Sequence, residues 1–116
     1  MVSEAGPVST SNRRIHSRRK ASVAARMTRQ ADSVDGTIEN IGEGGVFFAT
    51  EDLELQVEEG SEVVLGFRCR RDGRDTVVQR AGCVLRTERY FDGESVVRAF
   101  AVKFDEIMSL DGLDFE

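Results

Sequence analysis

The stretch EVVLGFRCRRDGRDTVVQRAGCVLRTE, residues 62–88, decides the fold class. Val63, Leu65, Phe67 and Cys69 alternate with other residues, the period of a strand with one buried face. Asp72-Gly73 follows, a pair that accepts the positive φ angles of a two-residue hairpin turn. From about Thr76 to Glu88 a second alternating run returns, with Val77, Ala81, Cys83 and Leu85 set against polar neighbours. Two strands joined by Asp-Gly read as an antiparallel hairpin.

The same punctuation recurs on both sides. Asp92-Gly93 closes a second hairpin into Val96 to Phe104, whose Val96, Phe100, Val102 and Phe104 are placed on one face. Glu59-Gly60 marks a turn before residue 62, and Val46-Phe47-Phe48 forms a short apolar strand after the glycine cluster Gly42, Gly44 and Gly45. From Ala21, Val23, Ala25 and Met27 alternate with Ala24 and Arg26, and Asp35-Gly36 reads as a turn or bulge leading into Thr37-Ile38-Glu39. Glu106-Ile107-Met108 can start a short C-terminal helix. The expected architecture is therefore mostly β, a small antiparallel barrel of six to seven strands.

At 116 residues the chain holds one domain. Its divisions are expected at a disordered lead over 1–12, a barrel domain with its arginine arm over 13–108, and an acidic tail over 109–116. No stretch of roughly 18 apolar residues occurs, and Met1 to Thr10 lacks the basic and apolar regions of a secretory signal. A cytoplasmic location is expected. Cys69 and Cys83 then read as small buried strand residues. One histidine and no cysteine pair at ligand spacing argue against a zinc site.

Charge is unevenly placed. The net charge is −5, yet Ala5 to Ala31 contains no acid and carries Arg13, Arg14, Arg18, Arg19, Lys20, Arg26 and Arg29, 7 of the 16 basic residues. A small phosphorylated ligand would be drawn to this segment, whereas a long polyanion such as DNA would meet an acidic remainder. Neither nucleic-acid binding nor membrane insertion is expected. Catalysis is not expected either, because a nucleophile needs a base beside it and His16, the sole histidine, sits among the arginines. The glycine cluster lacks the Lys-Ser or Lys-Thr of a phosphate-binding loop.

Two motifs sharpen the reading. Arg14-Ile15-His16-Ser17-Arg18 matches R-x-x-x-R, with Arg13 in front, and Asn40-Ile41-Gly42-Glu43-Gly44-Gly45 follows the pattern [D/N]-x-S-x-x-G apart from Gly42. Phe100-Ala101-Val102-Lys103-Phe104 matches a closing-strand pattern of aromatic, small, valine, any residue, phenylalanine. In this order and strand context the chain resembles a stand-alone PilZ domain, over about Arg13 to Phe104. The resemblance implies a bacterial second-messenger receptor, with a flexible basic arm ahead of the barrel and cyclic di-GMP as its ligand. It implies no cofactor beyond that ligand.

Arg13, Arg14, Arg18, Asn40, Gly42 and Gly45 are the site residues carried over from the family. An arginine at position 13 goes in the family with an intercalated ligand dimer. The chemistry suits the ligand: guanidinium groups fork onto phosphate or onto a guanine edge and stack on bases, an amide reads a guanine edge, and glycines admit close backbone approach. Gly42 in place of serine removes one hydroxyl, a change of about 1 kcal/mol if it carried one ligand hydrogen bond. The resemblance also implies a protein partner in motility, pilus, exopolysaccharide or biofilm control. The rival reading is an adaptor of the same fold that works by protein contact without the nucleotide.

Overall fold

The computed structural model describes residues 18–114, with side chains from residue 22 onward. Seven strands fill most of this span: β1 (Arg18–Arg29), β2 (Asp32–Gly42), β3 (Gly45–Thr50), β4 (Glu62–Arg71), β5 (Arg74–Phe91), β6 (Val96–Phe104) and β7 (Leu113–Asp114). All pair antiparallel in one sheet of order β1-β2-β3-β6-β5-β4-β7. A further pairing of β1 with β4, from Ala25 opposite Phe67 to Thr28 opposite Val64, closes the sheet into a ring. This is the barrel-type closure the turn pattern implied.

The interior is built from alternate positions of every long strand. Met27, Ile38, Ile41, Phe48, Leu65, Val84, Phe100 and Met108 are its most deeply buried side chains. Phe48 and Phe100 stack there, ring centroids 6.5 Å apart. Gly36 has a packing reason: a Cβ at that position would sit 2.6 Å from the tip of the Phe48 ring. Residues 51–60 form no strand but are tied to the barrel through buried Leu55 and Val57. Arg98 reaches them, donating to the carbonyls of Leu55 (2.6 Å) and Val57 (2.9 Å) while its guanidinium lies 4.8 Å above the Phe100 ring.

Several local expectations change. β1 begins at Arg18 rather than near Ala21, so the end of the expected arm is strand, with an irregularity between Lys20 and Val23. The β1–β2 turn falls at Gln30-Ala31, where Gln30 takes φ 57°, and Asp35-Gly36 lies inside β2. In β5 the inward positions are Val78, Gly82 and Val84, whereas Val77, Ala81, Leu85 and Cys83 face out, Cys83 being half-buried where a buried residue was expected. The two-residue turn at Asp72-Gly73 dictates this phase, because it sets Phe67 opposite Val78 and Val63 opposite Gly82. Directly opposed residues share a face, so the strand that follows inherits the parity of the one before. Val96 is exposed at the mouth of its hairpin, and buried Arg98 takes the next position on that face.

No helix forms at Glu106-Ile107-Met108. The segment runs irregularly because it is spent as a strap. The Met108 N–H donates to the Glu43 carbonyl at 2.8 Å and the Met108 side chain is fully buried, which holds the backbone against the β2–β3 loop instead of coiling it.

Candidate functional site

The β1–β2 ladder brings the two sequence motifs together. Arg18 is opposite Gly42, Arg19 opposite Ile41 and Lys20 opposite Asn40. Opposed Cα atoms in such a ladder are about 4.5–5.5 Å apart. The second arginine of R-x-x-x-R and the loop motif therefore sit side by side at the same end of the sheet. Arg13 and Arg14, together with His16, lie outside the described residues.

Asn40 is half-buried, and its amide makes no hydrogen bond within the described residues. It stands opposite Phe47 on β3, which in turn stands opposite Ala101 on β6. Phe47 is half-buried on the outer face, packed on the small cluster of Ala49, Val97 and Ala99. An aromatic plane and a floor of small side chains thus adjoin an unengaged amide, a combination that can stack a base and read its edge. Nearby, the Tyr90 hydroxyl donates to Glu39 at 3.5 Å, and burial with the Glu39 charge pushes the phenol above its usual range.

The tip of the β2–β3 hairpin is held from beneath. The Phe104 N–H donates to the Gly44 carbonyl and the Met108 N–H to the Glu43 carbonyl, each at 2.8 Å. Gly45 opens β3 opposite Lys103. A Cβ at Gly45 would run into the Val102 carbonyl, so glycine is required there by the approach of β3 to β6, whatever binds above it. Gly42 is buried at the last position of β2.

The structure places Asn40, Gly42 and Gly45 at one end of the sheet, and beside Asn40 it adds Phe47, which the sequence reading assigned with Val46 and Phe48 to one apolar strand. Alternation was the available signal, because Val46 and Phe48 turn inward and the residue between them cannot. The sequence reading also missed the Met108 strap. A separate groove of about 810 Å3 lies over the β1–β4 seam and is lined by Ala24, Arg26, Gly66, Arg68, Arg70 and Val77 among others. None of the motif residues lines it. Two of its guanidiniums are already engaged, Arg26 with Asp35 at 2.9 Å and Arg70 with Asp75 at 3.9 Å.

Comparison with known families agrees with this geometry. The model for the PilZ domain matches residues 12–112. The chain belongs to the PilZ domain family. Among solved structures, this PilZ chain is similar to the Bacillus subtilis inhibitor of motility MotI/DgrA, with TM-score 0.68 and 20% identity over 84% of this chain. It spans 45% of that protein's chain, under half its length. It is also similar to the PilZ domain of YcgR from Escherichia coli, solved with c-di-GMP, with TM-score 0.61 and 15% identity over 81% of this chain and 79% of that one. At these identities the likeness establishes the fold. A search of curated proteins returns no match. Among the described residues no helix is long and apolar enough to cross a membrane, and no group of three His, Cys, Asp or Glu gathers as a metal site.

Proposed function

We propose that this chain is a cyclic di-GMP receptor that passes the second-messenger level to a protein partner. The observation that carries this reading is the ladder setting Arg18 opposite Gly42 and Lys20 opposite Asn40. Cations for two phosphates, an amide for a guanine edge and an aromatic ledge at Phe47 then share one end of the sheet. Family membership and the likeness to a PilZ domain solved with this nucleotide support it. Arg13, Arg14 and Arg18 supply the phosphate and base-edge forks, Asn40 reads guanine, and Gly42 and Gly45 put no side chain between ligand and backbone. The nucleotide-bound face would be the output, presented to a partner in motility, pilus, exopolysaccharide or biofilm control in the cytoplasm.

Calorimetry with cyclic di-GMP tests this. Binding is expected, and Arg14→Ala and Arg18→Ala should each weaken it severely, since each removes a charged fork. Gly42→Ser should tighten it about several-fold to tenfold, the worth of one hydrogen bond. Absence of heat at high micromolar ligand overturns the receptor reading. That result would favour the second reading, a nucleotide-free PilZ adaptor, which Gly42 in the serine position specifically supports.

A further inference from the structure

Lys103 is read by the sequence pattern as a position open to any residue, yet its place in the sheet is specific. It lies on β6 directly opposite Gly45, between inward Val102 and Phe104, with its own side chain exposed on the outer face. Gly42 and Gly45 end β2 and begin β3, so the positions met in crossing the sheet are Arg18, Gly42, Gly45 and Lys103. The two middle ones carry no side chain. Arg18 and Lys103 therefore stand three strand spacings apart, about 14 Å, on either side of a strip that carries no side chain and whose Gly42 is buried.

An exposed lysine is ordinarily a solvated charge, and three observations set this one apart. Lys103 makes no ion pair with any described residue, although Cys83 beside it is followed in the next strand by Glu62 and the chain is acid-rich beyond residue 31. The strip it borders is rigid, because Phe104, its immediate neighbour, holds the Gly44 carbonyl at 2.8 Å. Finally, Ala101, two residues back on the same strand, stands opposite Phe47, so the aromatic ledge and Lys103 share one outer face of β3 and β6.

We propose that Lys103 is a ligand-binding residue, its ammonium neutralising a phosphate of the bound dinucleotide on the side of the site away from the β1 position of Arg18. This rests on the receptor reading above and adds to it a contact from β6. Lysine suits the place as a compact point charge that needs no fork geometry.

The test is calorimetry of cyclic di-GMP against the unaltered protein, Lys103→Ala, Lys103→Arg and Arg74→Ala. The last removes an equal charge at the distant β4–β5 turn. Lys103→Ala should lose about tenfold or more in affinity and show a shallower dependence on KCl, as expected for a lost charge-assisted contact. Lys103→Arg should recover most of the affinity, and Arg74→Ala should change it little. The chain has two lysines, Lys20 and Lys103. After isotopic methylation of the unaltered protein, the Lys103 signal, assigned through Lys20→Arg, should shift on saturation with ligand. Unaltered protein that binds normally, with Lys103→Ala equally tight or the Lys103 signal unmoved, overturns this proposal alone. Unaltered protein that fails to bind overturns the receptor reading, and this contact with it.

Discussion

Arg98 shows how one residue can hold a structure in a way its sequence neighbourhood does not announce. It occupies an inward position among Phe100, Leu55 and Val57, where burial lowers the guanidinium below its usual pKa while leaving it charged at neutral pH. Two main-chain carbonyls in place of a carboxylate satisfy it. Hydrogen bonds to a charged group contribute about 1.5–3 kcal/mol, and removing Arg98 would take the donor from the Val57 carbonyl, while the Leu55 carbonyl would keep the Val57 N–H at 3.0 Å. Arg98→Ala should therefore lower the unfolding free energy in urea by about 2–4 kcal/mol, with Arg98→Lys intermediate because an ammonium lacks the second arm of the fork. The motif glycines divide at this scale too. Gly45 is explained by a collision with the Val102 carbonyl, whereas Gly42 is buried at the last position of β2, opposite Arg18.

Elements were legible to different depths. β4 was readable outright, because its inward residues are large and apolar and its outward ones mostly charged. β5 was readable as a strand but not in phase, since Val77-Val78 and Val84-Leu85 offer an apolar residue to either face and only the register through Asp72-Gly73 chooses. The β1–β2 turn was missed because Gln30-Ala31 carries no turn chemistry, while Asp35-Gly36 does and is spent elsewhere: Asp35 pairs with Arg26 and Gly36 admits Phe48. The motif loop was found by its residues, but its support was not. Residues 105–108 show only that they are not strand-like, and their hold on Glu43 is a tertiary fact. Met108→Ala should cost about 2–4 kcal/mol as a buried truncation. Hydrogen exchange should quicken at the Met108 and Phe104 amides before it does in β4.

The whole molecule carries a net charge of −5, and two of its carboxylates are tuned by local partners. The Arg26 guanidinium, by hydrogen bond and charge, holds Asp35 below the usual carboxylate range, and the Ser95 and Glu94 N–H groups do the same for Asp92 at the β5–β6 turn. A carboxyl with a depressed folded value stabilises the fold above its unfolded pKa, about 3.9, and loses that contribution as pH falls through the lower folded value. The melting temperature should accordingly hold from pH 7 to 5 and drop below about pH 4. An Asp35→Asn, Asp92→Asn double variant should melt lower at pH 7 and lose less on acidification. Equal slopes for the two proteins would remove these groups from the account.

The closure of the ring and the strap under the motif loop also set an order of events. Ala25 meets Phe67 across some forty residues of chain, and the loop at Glu43-Gly44 is not held until Phe104 and Met108 arrive. Local hairpins such as β4–β5 can form early, whereas contacts between distant parts of the chain carry the slow step in folding such topologies. The face proposed for the ligand is thus assembled from nearly opposite ends of the described chain, and a polypeptide still emerging from the ribosome has no finished loop to offer. On the receptor reading proposed above, competence to bind would be among the last properties the molecule acquires, so an immature or truncated copy would stay silent instead of competing for the signal.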